Sequence, residues 1–278
     1  MSEPLIKYPR TAHIAGSKLQ PGDDASANVP LSALNDALGD GATLVVEEKL
    51  DGANAALSFD QDGRLLLQSR GHYLTGGGRE RHFALFKTWA QTHAERFWPR
   101  LGRRYVAFGE WLYAKHTIFY DRLPHYFHEF DVYDRETGAF LSTEARRALL
   151  EGAPLLPAPV LHSGAALSAA ALQGLICAPL YQSDRWGAAL EAAAAQGGVA
   201  PDRARREADP TGLAEGLYVK LERNGGVAAR YKWVRASFLQ AVETSQSHWL
   251  DRPILPNRLA EGVDLFSQNL GAPGAYDA

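Results

Sequence analysis

The sequence predicts an α+β fold in which antiparallel β-hairpins alternate with helices. Two kinds of observation support this prediction. Short apolar runs rich in β-branched residues flank tight-turn signals, such as Asp62-Gly63 and Asn224-Gly225-Gly226. Longer segments between these runs repeat aromatic or alanine residues at helical spacing. With 278 residues, of which 46% are hydrophobic, the chain is long enough to bury a large core.

The first part of the chain contains three predicted strands and one long helix. The apolar, β-branched run at 43–49 and the alternating run at 55–59 predict strands. The turn at Asp62-Gly63 leads to a third strand at 64–69. Aromatic residues then recur every three or four positions, which predicts a helix over 80–98.

The middle of the chain begins with two more strands, at 104–111 and 126–134, and the second of them turns into a short return strand. Ser142 or Thr143 is a helix-capping residue, and the helix that it starts ends at Gly152.

The last part of the chain has a helix, a loop, a hairpin and a second helix. An alanine-rich segment predicts a helix over 184–196, and the charged stretch 199–212, with its proline and glycine, predicts a surface loop. Strands at 215–223 and 227–234 flank the Asn-Gly-Gly turn, and 235–246 is typical of a helix.

The composition limits the classes of protein to which the chain can belong. No apolar run approaches membrane-spanning length, and the amino terminus has no basic segment followed by an apolar one, so we expect neither a membrane protein nor a secreted one. The single cysteine, Cys177, lies in an apolar stretch, where we expect it to be buried and without a catalytic role. The expected compartment is the cytoplasm.

The charge balance bears on whether the chain binds nucleic acid. The net charge is -3 and the pI is about 6.3, so a nucleic-acid contact requires a local basic patch. From Arg70 to Arg104 there are eight Lys or Arg residues against two acidic residues, Glu80 and Glu95. The alternative interpretation of this basic stretch is the solvated face of a helix.

The most informative short motif surrounds Lys49. The lysine ends an apolar strand, and Leu50-Asp51-Gly52 follows at once. A lysine nucleophile needs this setting, because a strand fixes its backbone, a tight turn exposes its side chain, and nearby charge controls its proton. At pH 7.4 an ordinary lysine carries a deficit of about 4 kcal/mol for forming the neutral amine. Lysine-any-Asp-Gly is the signature of enzymes that attach a nucleotide to themselves.

Five further polar segments follow Lys49 in order, on or at the ends of predicted strands. They are Ser69-Arg70-Gly71, Phe108-Gly109-Glu110, Phe127-His128-Glu129-Phe130-Asp131, Glu215-Gly216-Leu217-Tyr218-Val219 and Arg230-Tyr231-Lys232-Trp233.

With these six motifs the chain resembles the covalent nucleotidyltransferases, a superfamily of ATP-dependent ligases and capping enzymes. It is most similar to the RNA ligase family, in its nick-sealing branch. The flanking residues Glu48 and Asn54 favour RNA ligases over DNA ligases, and the lead-in Tyr8–Ser17 is also similar to the start of many such ligases. The resemblance spans about residues 8–235. It implies an antiparallel two-sheet nucleotidyltransferase (ATP-grasp-like) core with flanking helices, which binds the nucleotide between the sheets.

The resemblance implies catalytic and metal-binding roles for four residues. Lys49 is the nucleophile, and Arg230 and Lys232 stabilise charge on the α-phosphate; Lys232 also binds the nucleotide. Alternation along a strand places both cations on one face, from which they disfavour the lysine ammonium. Glu215 holds Mg²⁺ or Mn²⁺, as carboxylates do. The family usually has lysine at the position of Arg230. A planar guanidinium therefore replaces a compact ammonium in this chain, and the resemblance does not predict the rate of adenylylation.

The resemblance also implies nucleotide-binding roles for five residues. Glu110 accepts hydrogen bonds from the ribose, and the preceding glycine allows close backbone approach. Phe130 stacks on adenine, although a buried phenylalanine is otherwise ordinary core. Arg70 contacts the ribose or the RNA end. Glu48 and Asn54 orient the adenine and the phosphates.

The implied reaction has three steps that use ATP and a divalent metal. Lys49 takes AMP from ATP, AMP passes to a 5′-phosphate, and a 3′-hydroxyl displaces it and seals the strand. The implied partner is RNA that bears a 5′-phosphate and a 3′-hydroxyl, and a nicked duplex is one form of it. We expect no interaction with a membrane. Two alternatives stay open. One is an adenylyltransferase with another acceptor that seals no strand, and the other is a nucleotide-binding accessory module without turnover.

We expect one adenylyltransferase domain over 1–246 and a short tail over 247–278, which leaves no room for an OB-fold or a sizeable C-terminal domain. The basic stretch from Arg70 to Arg104 is the best internal candidate for holding RNA, and a repair partner protein is another.

Overall fold

Two β-sheets, each with six strands in the described part of the chain, form the body of the molecule. They are seen in a computed structural model that describes residues 4–18, 28–38, 41–244 and 253–267. The predicted α+β fold is confirmed, because most strand pairs are antiparallel and helices pack on the outer faces. The strands are β1 (Ala12–Ile14), β2 (Asn28–Val29), β3 (Thr43–Glu48), β4 (Ala53–Phe59), β5 (Leu65–Ser69), β6 (Tyr105–Trp111), β7 (Phe127–Asp134), β8 (Ala139–Phe140), β9 (Leu156–Pro157), β10 (Val160–Gly164), β11 (Gly216–Arg223) and β12 (Gly226–Val234). The helices are α1 (Leu31–Leu38), α2 (Ala84–Thr92), α3 (Ala94–Leu101), α4 (Thr143–Leu150), α5 (Ala169–Gly174), α6 (Trp186–Gln196), α7 (Pro201–Arg206) and α8 (Ala236–Thr244).

The first sheet has the strand order β10-β3-β11-β12-β1-β2. β3 pairs antiparallel with β11, so Val46 lies opposite Val219 and Leu44 opposite Leu221. These side chains are buried with Leu34 of α1 and Leu172 of α5, in a core on the outer side of the sheet. Since side chains alternate along a strand, the remaining residues of β3 and β11 face the second sheet.

The second sheet has the order β5-β4-β6-β7-β8, with β9 beside β7. Its outer face packs against α2 and α3 through a cluster of aromatic rings. Phe86 and Trp89 of α2 stack on Phe127, and Trp89 also contacts Phe97 of α3. All four side chains are fully buried, and this cluster forms the largest core.

The predicted hairpins are confirmed, because their turn signals act locally. At the β11–β12 turn, Asn224 has φ 53° and Gly225 has φ 77°. A two-residue hairpin needs positive φ at both positions, which Asn and Gly adopt most readily. The return strand and the helix cap are also as predicted, and the Ser142 side chain accepts a hydrogen bond from the Ala145 amide.

The single helix predicted over 80–98 is wrong. A 3₁₀ turn at Gly78–Phe83 precedes α2, and the chain leaves helical geometry at His93, where φ is -105° and ψ is 9°. The bend lets Trp89 of α2 and Phe97 of α3 both pack into the same core, which one straight helix would not allow over a twisted sheet.

Two further expectations are corrected. The predicted surface loop 199–212 contains α7, where Pro201 occupies the first helical turn and Ala204 is buried. Cys177 is exposed rather than buried, because the apolar stretch around it is a turn after α5. Of the helix predicted over 235–246, the structure describes α8, and the last two residues lie outside the described part.

Residues 253–267 pack against the body of the molecule. Leu255 and Leu265 are buried, and Asn257 is 1% exposed. The Asn257 side chain accepts a hydrogen bond from the Tyr120 amide at 2.9 Å and donates one to the Leu112 carbonyl at 2.7 Å. None of the helices in the described ranges is both long and apolar enough to cross a membrane.

Candidate active site

A cleft of about 600 Å³ lies between the two sheets. The first sheet and its strand ends contribute Lys49, Glu215, Tyr218 and Lys232 to its walls. The second sheet contributes Asn54, Glu110 and Phe130. The lysine motif is the turn by which the chain crosses from β3 of one sheet to β4 of the other, so its side chains stand at the junction.

Lys49 and Glu215 form an ion pair in this cleft. The Lys49 amide donates to the Gly216 carbonyl at 3.0 Å, which joins the end of β3 to the start of β11. The Lys49 Nζ donates to Glu215 Oε2 at 2.9 Å. The lysine side chain is 22% exposed and the glutamate side chain 5% exposed, so the amine is reachable from the cleft.

Carboxylates dominate the electrostatics around Lys49. Burial lowers its pKa, but Glu215, Glu110 and Asp51 more than offset this effect and raise the pKa above its ordinary value. Burial also raises the pKa of Glu215 to about 7 and that of Glu110 to about 8. The sequence led us to expect cations beside the lysine, whereas the ligand-free cleft surrounds it with acids.

The turn after Lys49 is fixed by Asp51. Its Oδ2 accepts hydrogen bonds from the Thr117 and Ile118 amides at 2.7 and 2.6 Å. The Gly52 amide donates to Glu110 Oε1 at 3.0 Å, and a side chain at Gly52 would lie 2.7 Å from the Trp111 carbonyl oxygen. Asp51 therefore shapes the turn, as the sequence predicts for it.

One wall of the cleft is aromatic. The rings of Phe130 and Tyr218 lie 6.0 Å apart and within 25° of parallel, and Tyr8 meets Phe130 edge-on at 5.1 Å. Thr11 and Tyr218 share a hydrogen bond of 2.5 Å between their hydroxyls. Sequence reasoning missed Tyr218, although its position opposite Lys232 in the hairpin puts it on the same face of the sheet.

Two side chains in the cleft present buried oxygen atoms without a hydrogen-bond partner in the described structure, namely Glu48 Oε1 and Asn54 Oδ1. The other Glu48 oxygen accepts from the Leu180 amide at 3.0 Å, and burial raises the pKa of Glu48 to about 7. Arg70 and His72 are exposed residues of the same cleft. These positions suit contacts to a polar ligand.

Arg230 does not line the cleft in the way that Lys232 does. Both project from β12 toward the second sheet, but the Arg230 guanidinium lies 3.8 Å from the centre of the Phe140 ring, with Nε 3.5 Å from Asp131. Of the two predicted cations, Lys232 therefore lies in the cleft, and Arg230 lies in the layer of side chains beneath it. A catalytic role for Arg230 stays a prediction.

The amino-terminal segment supports the strand that carries Lys232. β1 runs parallel to β12, with His13 opposite Lys232. Ser17 Oγ accepts a hydrogen bond from the Val234 amide at 2.9 Å and lies 2.6 Å from His13 Nδ1. His13 and Ser17 therefore hold the end of β12 rather than line the cleft.

The basic stretch does not form one patch beside the cleft. Arg70 lines the cleft, whereas Lys87 pairs with Glu80, and Arg104 pairs with Asp134 and Glu136. Arg104 precedes β6 and Glu110 lies near its other end, which places them about 20 Å apart. Lys87 and Arg104 are thus compensated by carboxylates, and Arg104 is also distant from the cleft.

Among the described residues, no group of three or more His, Cys, Asp or Glu side chains is arranged to hold a metal ion by itself. Mg²⁺ commonly takes one or two carboxylates together with water and substrate phosphates. Glu215, with Glu110 in the same cleft, fits that mode of binding, because buried carboxylates with raised pKa values gain from a nearby cation.

Comparison with known proteins agrees with the six motifs. The sequence model of the RNA ligase family matches residues 42–234. No curated protein matches the sequence. Structures of Naegleria gruberi RNA ligase resemble this one at low identity. A mutant with AMP and Mn has 16% identity and a TM-score of 0.47, over 86% of this chain and 63% of that one. A mutant with ATP and Mn has 16% identity and a TM-score of 0.48, over 87% and 64%. The structure with pyrophosphate has 17% identity and a TM-score of 0.45, over 87% and 64%.

Proposed function

The chain belongs to the RNA ligase family, and from that premise we propose that it is an ATP-dependent RNA ligase that works through a covalent lysyl-AMP on Lys49. The observation that carries the proposal is the cleft itself. It holds a reachable lysine amine paired with Glu215, a second cation in Lys232, and the aromatic wall formed by Phe130 and Tyr218.

The proposed nucleotide position follows from the chemistry of the lining. Adenine stacks on the aromatic wall, a contact worth about 1–3 kcal/mol for a base. Glu48 and Asn54 orient the base and the phosphates through their unpartnered oxygen atoms. Glu110 accepts hydrogen bonds from the ribose. Arg70, exposed in the cleft, contacts the ribose or the RNA end.

The first proposed step is attack of the Lys49 amine on the α-phosphate of ATP, with pyrophosphate as the leaving group. Glu215 raises the pKa of Lys49, so before attack the ammonium must release a proton to solvent and the ion pair must open. Glu215 would hold Mg²⁺ or Mn²⁺, which would supply positive charge at the reacting phosphate. Lys232 stabilises the developing negative charge from the cleft, and Arg230 adds its charge from beneath.

The later proposed steps move AMP to RNA. AMP passes from Lys49 to a 5′-phosphate, and a 3′-hydroxyl displaces it to seal the strand, as at a nick in a duplex. Because Lys87 and Arg104 of the basic stretch are paired with carboxylates, we propose that a repair partner protein helps to hold the RNA. We further propose that residues 1–246 form the adenylyltransferase domain, that 247–278 are a tail on it, and that the protein acts in the cytoplasm.

The proposal is tested with α-labelled ATP and Mg²⁺, followed by denaturing electrophoresis. We expect label on the wild-type protein and none on Lys49→Ala. Label that never appears under either metal would contradict both the ligase and an adenylyltransferase with another acceptor, and would leave a binding module without turnover.

The acceptor separates the ligase from the other adenylyltransferase. Labelled protein is mixed with nicked duplex RNA, with single-stranded RNA bearing a 5′-phosphate, and with nicked DNA. We expect sealed RNA, with the nicked duplex as the best substrate. Release of AMP without any sealed strand would favour the adenylyltransferase.

A further inference from the structure

We propose that Arg146 is a positioning residue, which fixes the strand of the nucleophile relative to the strand of the aromatic wall. Neither the six motifs nor the lining of the cleft includes it. The expected effect on AMP transfer to Lys49 rests on the proposed function. The positioning role itself rests on the buried contacts of Arg146.

Arg146 lies on α4 and bridges the two sheets. Its side chain is 0% exposed. Nη1 donates to Glu129 Oε2 at 2.5 Å, and Nη2 donates to Glu47 Oε1. Glu47 belongs to β3 and lies two residues before Lys49, whereas Glu129 belongs to β7 and precedes Phe130. One guanidinium therefore joins β3, which leads to Lys49, to β7, which carries Phe130.

The bridge continues under the cleft as a closed set of charges. The other Glu47 oxygen lies 2.9 Å from Lys220 Nζ, which lies 3.2 Å from Asp131 and donates to the Phe130 carbonyl. Asp131 in turn faces Arg230. The buried set has three carboxylates, Glu47, Glu129 and Asp131, and three cations, Arg146, Lys220 and Arg230. Removing any one of the six alone leaves an uncompensated charge.

Such a set is a poor source of stability, because removing charges from water costs about as much as their attraction returns. What such a set can provide is a fixed geometry of the groups that it joins. A guanidinium presents its donors in a rigid plane and can hold two carboxylates at fixed positions, which a lysine ammonium cannot do in the same way. Buried ion sets of this kind are best attested as devices that fix one arrangement of elements.

The helix that carries Arg146 is itself anchored to the first sheet. The Thr143 amide and hydroxyl both donate to Glu222 Oε1, at 2.9 and 2.7 Å, and the Ser142 amide donates to the Gly225 carbonyl at 2.9 Å. Arg146 therefore reaches β7 from a helix that is tied to the β11–β12 hairpin. Without it, the described contacts that link β3 and β7 beneath the cleft are reduced to those of Lys220.

The test compares four variants. Arg146→Met removes the bridge and leaves one carboxylate in excess. Arg146→Met with Glu129→Gln removes the bridge but restores neutrality. Arg146→Lys keeps the charge without the planar fork. Arg147→Met is the matched control, because Arg147 is the next residue of α4 and is exposed.

Three quantities are measured for each variant, namely the thermal midpoint, the single-turnover rate of AMP transfer to Lys49 at saturating ATP, and hydrogen exchange of β3 and β7 without ligand. We expect the neutral double variant to keep a midpoint close to that of the wild type, to exchange β3 and β7 amides faster, and to label at least about tenfold more slowly, because small displacements of reacting groups are costly. Arg146→Lys should label at a rate between that of the wild type and that of the double variant. Arg147→Met should match the wild type in all three quantities.

A neutral double variant that folds, exchanges normally and labels at the wild-type rate would overturn the proposal. If that variant does not fold, wild-type exchange and labelling in Arg146→Lys would overturn it instead. A wild-type protein that takes no label would refute the proposed function alone, and hydrogen exchange in the ligand-free variants would still decide whether Arg146 fixes the two strands.

Discussion

Lys49 and Glu215 meet because adjacent strands end at the same point of the first sheet. At the scale of residues, the lysine motif could be predicted, since a strand, a lysine and an Asp-Gly turn are local features. The acids that raise the pKa of Lys49 could be named but not placed beside it, because Glu110 and Glu215 come from distant parts of the sequence. Arg146 carried no local signal, whereas Tyr8 and Tyr218 lie in segments that the sequence singles out without assigning them a role.

Glu215→Gln should abolish AMP labelling at pH 7.5 with Mg²⁺ and yet make Lys49 more reactive toward a simple electrophile. Glu215 is the main carboxylate that raises the Lys49 pKa, so its neutralisation increases the fraction of free amine. Labelling fails because the metal-holding carboxylate is gone. Acetylation of Lys49 by acetic anhydride, mapped by mass spectrometry, measures the amine separately.

For this comparison Glu191→Gln serves as the control, because Glu191 forms an ion pair on the surface. Normal AMP labelling in Glu215→Gln or Glu215→Ala would show that the metal assignment is wrong.

Phe130→Ala should mainly weaken the use of ATP, since it removes one ring of the aromatic wall and no charge.

Glu110→Gln should stabilise the ligand-free protein at pH 8.5 and change little at pH 5. The pKa of Glu110 is raised by burial to about 8, so the folded protein holds this proton between the ordinary carboxyl pKa and 8. The stability that it contributes is present at low pH and is lost as pH rises through 8. Glutamine does not titrate and escapes this loss.

Thermal midpoints of wild type and Glu110→Gln, measured from pH 5 to 8.5, check the sign. The difference should grow with pH in favour of the variant, while its use of ATP is impaired. A difference that is constant with pH, or that shrinks as pH rises, would contradict a raised pKa for Glu110.

The hairpin β11–β12 and the helix pair α2–α3 show what can be predicted at the scale of elements. The hairpin depends on two residues of its own turn, so its position follows from the sequence. The break at His93 depends on a core shared with the second sheet, and β10 and α5 form against strands that are far away in the sequence. Elements defined by distant partners were therefore missed or merged.

Gly109→Ala should destabilise the protein by about 1–3 kcal/mol and raise the KM for ATP. A Cβ at this position would lie 2.5 Å from both the His128 carbonyl oxygen and the Phe127 ring, where β6 and β7 shift register. The strand must move, and Glu110 moves with it. Urea unfolding and labelling kinetics measure the two effects.

Gly174→Ala is the control for this change, because Gly174 does not line the cleft and a Cβ there meets nothing within 4 Å. Equal stability of Gly109→Ala and wild type would show that the close approach of β6 to β7 is not required.

In the described part of the chain, the contacts that join the two sheets include the turn after Lys49, the buried charges around Arg146, and the loop that Asp51 holds. Residues 253–267 close this arrangement, since Asn257 ties down the loop that contains Thr117 and Ile118. The sequence led us to expect a tail without periodicity there. Asparagine bonds to loop backbone leave no periodic pattern, so this packing was not predictable.

Asn257→Ala should lower the thermal midpoint and slow AMP labelling, although Asn257 lies outside the cleft. It removes two buried hydrogen bonds and leaves the Tyr120 amide and the Leu112 carbonyl unsatisfied, at a cost of about 1–3 kcal/mol each. The loop that orients Asp51 then loosens. Glu261→Ala, an exposed change in the same segment, should match the wild type in both measurements; identical behaviour of Asn257→Ala would contradict the coupling.

The proposed role of Lys49 as the carrier of AMP is tested by peptide mass spectrometry of the protein after reaction with ATP and Mg²⁺, under conditions that preserve phosphoramidates. We predict one AMP adduct, on the peptide that contains Lys49, and no adduct after Glu215→Ala. An adduct on another residue, or an unmodified Lys49 under both Mg²⁺ and Mn²⁺, would contradict it.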